Sequence, residues 1–395
     1  MKPQRKIIAM TANKIDRRAL ISTLFRTAAS TVLAVPAAAR LAAQARFPNQ
    51  NQPRAGMGAE LQAFQQRYRV PATSAAISAR GRFVFDHAGG MADREHSIQA
   101  QQNSLFRIAD LSKPITSVSI FSLIEQGKVH LTDKVFGDSG ILGAKYGKPP
   151  YKTYVSDITV DHLLTHTAGG WAADANDPML HNNGWDAAKL IASTIQNVAL
   201  TNQPGTQWAY SNFGYCILGR VIEQVSGQAY EDFVKSAILG PCGITDMQIA
   251  KNSQRQRALN EVIYIGQYSE DPYKINVERM DSTAGWIASS TQLIQFLNHV
   301  AGAPGIPALL QPETIRTMTT PVNIYPSYAR GWMLSGNGTG NWWHSGSLPG
   351  STALMIRTPD GACSAVICNT RSEPHQEMDA SLLQLSLNML ERFSR

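Results

Sequence analysis

Residues Phe106-Arg107-Ile108-Ala109-Asp110-Leu111-Ser112-Lys113-Pro114-Ile115-Thr116 decide how the rest of the chain is read. An apolar period runs on from Pro114 to Gly127, so the stretch predicts the entry to a long helix that a glycine stops. Asp110 and Lys113 lie three residues apart, about one helical turn, and therefore share a face at its start. Upstream, residues 57–68 place Leu61, Phe64 and Tyr68 on one helical face. Residues 72–91 then alternate small apolar and polar side chains across Arg80-Gly81-Arg82, the pattern of a hairpin. Downstream, helical periods cover 157–167, 185–198, 212–227, 229–239 and 289–301. Strand-like runs follow at 329–335, 340–345 and 351–369, the last broken at Pro359-Asp360-Gly361, and a final amphipathic helix covers about 376–392. Strand-rich ends around a helical middle predict an α/β fold. An antiparallel sheet flanked by helices is expected from residues 44–105 and 282–395, and an all-helical subdomain from 106–281.

The charge is distributed unevenly. The formal net charge of the 395 residues is +7. Residues 1–43 hold Lys2, Arg5, Lys6, Lys14, Arg17, Arg18, Arg26 and Arg40 against the single acid Asp16, which accounts for all of it. The remainder is neutral and gives no electrostatic reason to bind nucleic acid. A basic start, the small apolar run Thr27–Ala39 and Ala-x-Ala patterns at Ala37–Ala39 and Ala43–Ala45 have the layout of a signal peptide over residues 1–43. The pair Arg17–Arg18 resembles a twin-arginine signal, although the usual Ser or Thr before it and Phe after it are missing. The expected location is periplasmic or secreted, with no stable membrane insertion, since the apolar run is too short to span a bilayer. Cys216, Cys242, Cys363 and Cys368 form no C-x-x-C pair and read as buried hydrophobes.

Two further stretches join the first in a fixed order: Tyr210-Ser211-Asn212, leading into Phe213-Gly214-Tyr215, and His344-Ser345-Gly346-Ser347, after Trp342-Trp343. With Leu163-Leu164-Thr165-His166-Thr167-Ala168-Gly169 and Ser282-Thr283-Ala284-Gly285-Trp286, they resemble the β-lactamase-related serine hydrolases. These include class C β-lactamases, D-alanyl-D-alanine peptidases and family VIII esterases, and the likeness extends over about residues 57–392. The resemblance implies a penicillin-recognising serine hydrolase-like fold, with the active-site cleft between the sheet domain and the helical subdomain, and acyl-transfer chemistry without a cofactor. In such enzymes Ser-x-x-Lys sets a hydroxyl and an amine on one helical face, and the Tyr of Tyr-x-Asn helps to deprotonate the serine. Carried over by position, the lysine is Lys113, the tyrosine Tyr210 and the amide Asn212. His344, Ser345 and Gly346 form the strand motif, and Ser347 offers the second N–H of an oxyanion hole.

The expected nucleophile is replaced. Three residues before Lys113 stands Asp110, and Ser112, next to Lys113, points about 100° away around the helix. No Gly-x-Ser-x-Gly elbow occurs elsewhere. A helix N-terminus and a lysine one turn on both favour a charged Asp110, while desolvation in a closed pocket would favour the neutral acid, and the two stay open here. His162 and His166 have helical metal-ligand spacing, but no Glu follows His162, so no metal is expected. Gly336-x-Gly338-x-Gly340 precedes a strand and reads as a turn.

Three functions stay open at this point. One is an exported enzyme in which Asp110, Lys113 and Tyr210 do acid–base chemistry on a carbonyl-containing small molecule or peptide-like substrate, without an acyl-enzyme. The second is a silent homologue binding a peptide, glycan or acylated ligand. The third is an acyl hydrolase inactivated by replacement of its serine. The oligomeric state is left open.

Overall fold

The computed structural model describes residues 52–393 except 269, 336–339 and 374, and of 52–55 the backbone alone. The expected leader, residues 1–43, and Gly336 and Gly338 lie outside the described residues. Ten strands are described: β1 (Ala72–Ala79), β2 (Arg82–Asp93), β3 (Ile98–Gln99), β4 (Phe106–Arg107), β5 (Gln248–Ile249), β6 (Trp286–Ala288), β7 (Met333–Leu334), β8 (Trp342–Leu348), β9 (Ser351–Arg357) and β10 (Cys363–Cys368). The described α-helices are α1 (Gln52–Tyr68), α2 (Ser112–Glu125), α3 (Val160–Leu164), α4 (Ala187–Asn197), α5 (Asn212–Ser226), α6 (Tyr230–Val234), α7 (Asp281–Ala284), α8 (Ser290–Val300), α9 (Pro312–Thr319) and α10 (His375–Glu391).

Seven strands form an antiparallel sheet in the order β3-β2-β1-β10-β9-β8-β7, so both ends of the described chain meet at its centre. Alternate residues of β1 serve two layers, as strand geometry requires. Ser74 and Ser78 face α8, where their hydroxyls meet Ser290 Oγ at 2.7 Å and Asn298 Oδ1 at 2.8 Å. Ala75 and Ile77 face the other way, into a core with Phe64 of α1 and with Met378 and Leu382 of α10. Each such large apolar side chain contributes about 1.5–3 kcal/mol by leaving water. Cys363 and Cys368 fall into opposite cores, as their spacing on one strand predicts, and all four cysteines are free and buried.

The turn of the first hairpin is short because Arg80 and Gly81 both take positive φ, +51° and +76°, which matches the twist of the two strands. The run expected as a strand over 329–335 shrinks to β7. Gly331 turns to φ +83°, and Arg330 leaves the sheet to grip Asp161 through Nε at 2.6 Å and Nη2 at 3.2 Å. β4, β5 and β6 make a second, three-stranded sheet, two of whose strands fall within residues 106–281. The core beneath it is continuous, with Ala76, Ile115, Phe213 and Met355 in one cluster.

The helix that opens the site begins two residues earlier than its apolar period suggests. Residues Ala109–Leu111 form a 3-10 turn and α2 starts at Ser112. Ala109 is held at φ +49°, a strained conformation for a side chain with a Cβ. Ser112 Oγ ties the turn down by donating to Ala109 O at 2.7 Å and accepting from Trp286 N at 3.3 Å. Asp110 makes no capping hydrogen bond to either helix segment. The turn is closed by Ser112 instead, and the carboxylate is drawn elsewhere.

Candidate active site

The carboxylate goes to Lys113. Its ammonium is fully buried and pairs with Asp110 Oδ1, while the Asp110 side chain stays 21% exposed. Lys113 Nζ also donates to Asn212 Oδ1 at 2.8 Å and to Thr283 O at 3.3 Å, which uses all three of its protons. Burial pushes the Lys113 pKa down, and Asp110 offsets part of that push.

Asn212 is fixed by the start of α5. Ser211 is the N-cap: its hydroxyl accepts from Gly214 N at 3.1 Å and donates to Trp171 O at 2.7 Å. The other end of the Asn212 amide donates to Asp177 Oδ2 at 2.7 Å, and Met179 N donates to Asp177 Oδ1 at 2.9 Å. Asp177 is fully buried, and burial raises its pKa. The result is a buried relay of alternating partners, Asp110, Lys113, Asn212 and Asp177. Asp177 was not found from sequence; its signal is the Asp-Pro pair that caps a short 3-10 turn.

Tyr210 covers this relay. Its ring lies 4.8 Å from Lys113 Nζ, and Asp110 is among the groups near its hydroxyl. Burial, with the nearby Asp110, holds that hydroxyl well above its ordinary pKa. Around it stand His166, Tyr328 and His344, with ring centroids 4.2, 6.1 and 6.4 Å away. Trp208 stacks on Tyr325 at 4.0 Å beside them.

β8 closes the site from the sheet. Pro349-Gly350 makes a two-residue turn, with Gly350 at φ +74°, so Leu348 and Ser351 are hydrogen-bonded partners. Pairs alternate from there, and the N–H and C=O groups of Ser347 and Ser345 therefore point away from β9. β7 pairs only with Trp342 and Trp343, so among the described strands none covers that edge. His344 and Gly346 face Asp110. A side chain at Gly346 would come within 2.6 Å of Asp110 N and 2.7 Å of Ile108 O. The side chains of Ser345 and Ser347 face the α10 layer, so what these two residues present to the site is backbone.

His344 is fully buried. Nδ1–H donates to the outward-facing Ser345 O at 2.7 Å, and Nε2 accepts from Tyr328 Oη at 3.3 Å. Burial pushes its pKa down to about 4, so it is neutral at pH 7.

Asp110, Lys113, Tyr210 and Asn212 are thus in contact with one another, and His344 and Gly346 reach them from the sheet. His162 is not part of the site: it closes a capping box with Thr159 at the start of α3. No metal-holding group of three ligands occurs among the described residues.

Known proteins resemble this chain along most of its length. Penicillin-binding protein 4* of Bacillus subtilis (strain 168) is 26% identical over 344 residues, covering 78% of this chain and 70% of that protein. Esterase EstB of Burkholderia gladioli is 28% identical over 200 residues, 47% of this chain and 48% of the esterase. The structure of D-amino acid amidase from Ochrobactrum anthropi SV3 superposes with a TM-score of 0.68 at 18% identity, covering 86% of this chain and 98% of the amidase, a likeness of fold. Residues 58–387 match the family model Beta-lactamase, and the chain belongs to that family.

Proposed function

We propose that this protein is an exported, hydrolase-like enzyme in which the Asp110 carboxylate does acid–base chemistry on a carbonyl-containing small molecule or peptide-like substrate, without a serine acyl-enzyme. One observation carries the reading. Asp110, standing where the resemblance places a hydroxyl, is gripped by Lys113 beside the Tyr210 ring while 21% of its side chain still meets solvent. Lys113, its three protons engaged, acts as an ammonium that orients Asp110 and not as a base.

For hydrolysis of an ester or amide the steps balance as follows. Asp110 takes a proton from a water molecule as the water oxygen bonds to the carbonyl carbon. The carbonyl electron pair moves to oxygen, where the N–H of Asp110 and the outward N–H of Ser347 offer stabilisation. Collapse of the adduct expels the alcohol or amine, which takes the proton back from Asp110. The hydrolase-like relatives, a penicillin-binding protein, an esterase and an amidase, support a carbonyl substrate. The basic, alanine-rich residues 1–43 support export.

The test is turnover of a panel of esters, amides and lactones by the wild type, Asp110→Asn, Lys113→Met and Tyr210→Phe. The reading expects Asp110→Asn to lose at least 100-fold in kcat on any substrate found, in line with about 10²–10⁴ from a general acid or base. Unchanged turnover by Asp110→Asn would remove Asp110 from the chemistry.

A further inference from the structure

Tyr210 lies in a loop, yet its ring is held against Lys113; Ala173 N donates to the Tyr210 carbonyl at 2.6 Å, and His166 holds the residues on either side. Ala209 N donates to His166 O at 2.8 Å, and Ser211 N donates to His166 Nδ1 at 3.1 Å. The N–H groups of the two residues that flank Tyr210 therefore end on the same histidine. The His166 ring also packs on the Tyr210 ring, with centroids 4.2 Å apart and planes at 41°. We propose that His166 is the positioning residue of Tyr210, acting through the lone pair on its Nδ1.

Three further features fit this role. His166 sits at φ +59°, the left-handed region, which turns its carbonyl and its ring to the same neighbouring loop. The residue is 1% exposed, and Tyr215 and Tyr328 pack on the ring at 5.2 and 4.7 Å, with Trp208 edge-on at 6.2 Å. Burial, with Lys113 and His344 nearby, keeps the imidazole neutral by holding its pKa well below 6.5. A neutral ring that accepts at Nδ1 carries its proton on Nε2, which has no hydrogen-bond partner among the described residues. Nδ1 is then the ring's one hydrogen-bonding atom in use.

The consequence is readable without a substrate, so this inference and the proposed function fail separately. The groups that face the Tyr210 hydroxyl or its ring are Asp110, Asp177, Tyr215, Tyr328, His166, His344 and Lys113. Burial comes first among the causes that hold the hydroxyl high. Freed from His166, the ring regains water and the hydroxyl ionises at a lower pH, towards the ordinary tyrosine value.

The experiment is carbon NMR of protein carrying 13Cζ-tyrosine, with the Tyr210 signal assigned by Tyr210→Phe. In the wild type that signal is expected to stay at the protonated position past the pH at which an ordinary tyrosine ionises. His166→Phe keeps a ring and removes the acceptor, so its Tyr210 signal is expected to move and to ionise at a lower pH than in the wild type. His166→Asn places an amide oxygen where Nδ1 was and tolerates the left-handed backbone, so it is expected to retain the wild-type behaviour. Should His166→Phe fail to fold by near-UV circular dichroism, His166→Gln, whose amide reaches to the Nε2 position, takes its place with the same expectation. A Tyr210 signal unchanged in the folded acceptor-less variant would overturn the proposal. So would equal loss of the wild-type behaviour in His166→Asn.

Discussion

Removing the Asp110 charge while keeping its shape tests the ion pair at the centre of the site. In Asp110→Asn the Lys113 ammonium, fully buried, keeps Asn212 Oδ1 and Thr283 O but loses its counter-charge. Breaking a fully buried pair costs about 3–5 kcal/mol. Three features reduce that here. Asp110 is 21% exposed, two neutral acceptors remain, and burial already pushes Lys113 towards shedding its proton. A loss of about 2 kcal/mol is therefore expected, or about 3 °C in melting temperature for a chain of this size. Thermal unfolding at neutral pH, followed by near-UV circular dichroism, measures it. A double-mutant cycle with Lys113→Met isolates the pairwise part, because it cancels effects on the surrounding loop. A coupling energy near zero would refute the claim that the lysine is held by this carboxylate.

His344 makes the fold sensitive to mild acid. Its folded pKa of about 4 lies below its ordinary value of 6.5, so between those values the unfolded chain binds the proton and the native state does not. This contribution is complete above about pH 6.5 and falls away as pH drops to about 4, by about 3 kcal/mol, and His344→Gln should flatten that part of a urea-unfolding pH series. Gly346→Ala puts a methyl group within 2.6 Å of Asp110 N and 2.7 Å of Ile108 O, both backbone atoms that belong to the constrained turn. It should cost about 1–3 kcal/mol and lower turnover by moving β8 away from Asp110; wild-type values of both would contradict the register described. Ser211→Ala removes the cap of α5 and should cost about 1–2 kcal/mol by denaturant unfolding.

Local spacing carried much of the site into view. Asp110 with Lys113, and Tyr210 with Asn212, sit within one turn or one cap of each other, where a few residues dictate geometry. Elements with strong periods, such as α5, α8 and α10, were legible for the same reason. What stayed hidden depends on distance along the chain. Asp177 reaches Asn212 across 35 residues and Tyr328 reaches His344 across a turn, and neither contact leaves a repeat in the sequence. His166 was visible only as one half of a metal-like spacing, because its real partners are the backbone groups flanking Tyr210. Ser345 and Ser347 were readable as members of a strand, but the face each presents follows from register, which the Pro349-Gly350 turn sets. The positive φ of Ala109 has no local cause; it is imposed by β8 on one side and Trp286 on the other.

The central claim is that this site works through the Asp110 carboxylate and forms no serine acyl-enzyme. Intact-mass spectrometry after incubation with a penicillin, a fluorophosphonate and an activated ester tests it most directly, with Asp110→Ser as the comparison. The wild type should carry no adduct, because among the described residues no serine hydroxyl is hydrogen-bonded to Lys113, and Asp110→Ser should acquire one, since Lys113, Tyr210 and the β8 edge are already in place. A stoichiometric adduct on any serine of the wild type, Ser112 or Ser211 included, would contradict the account.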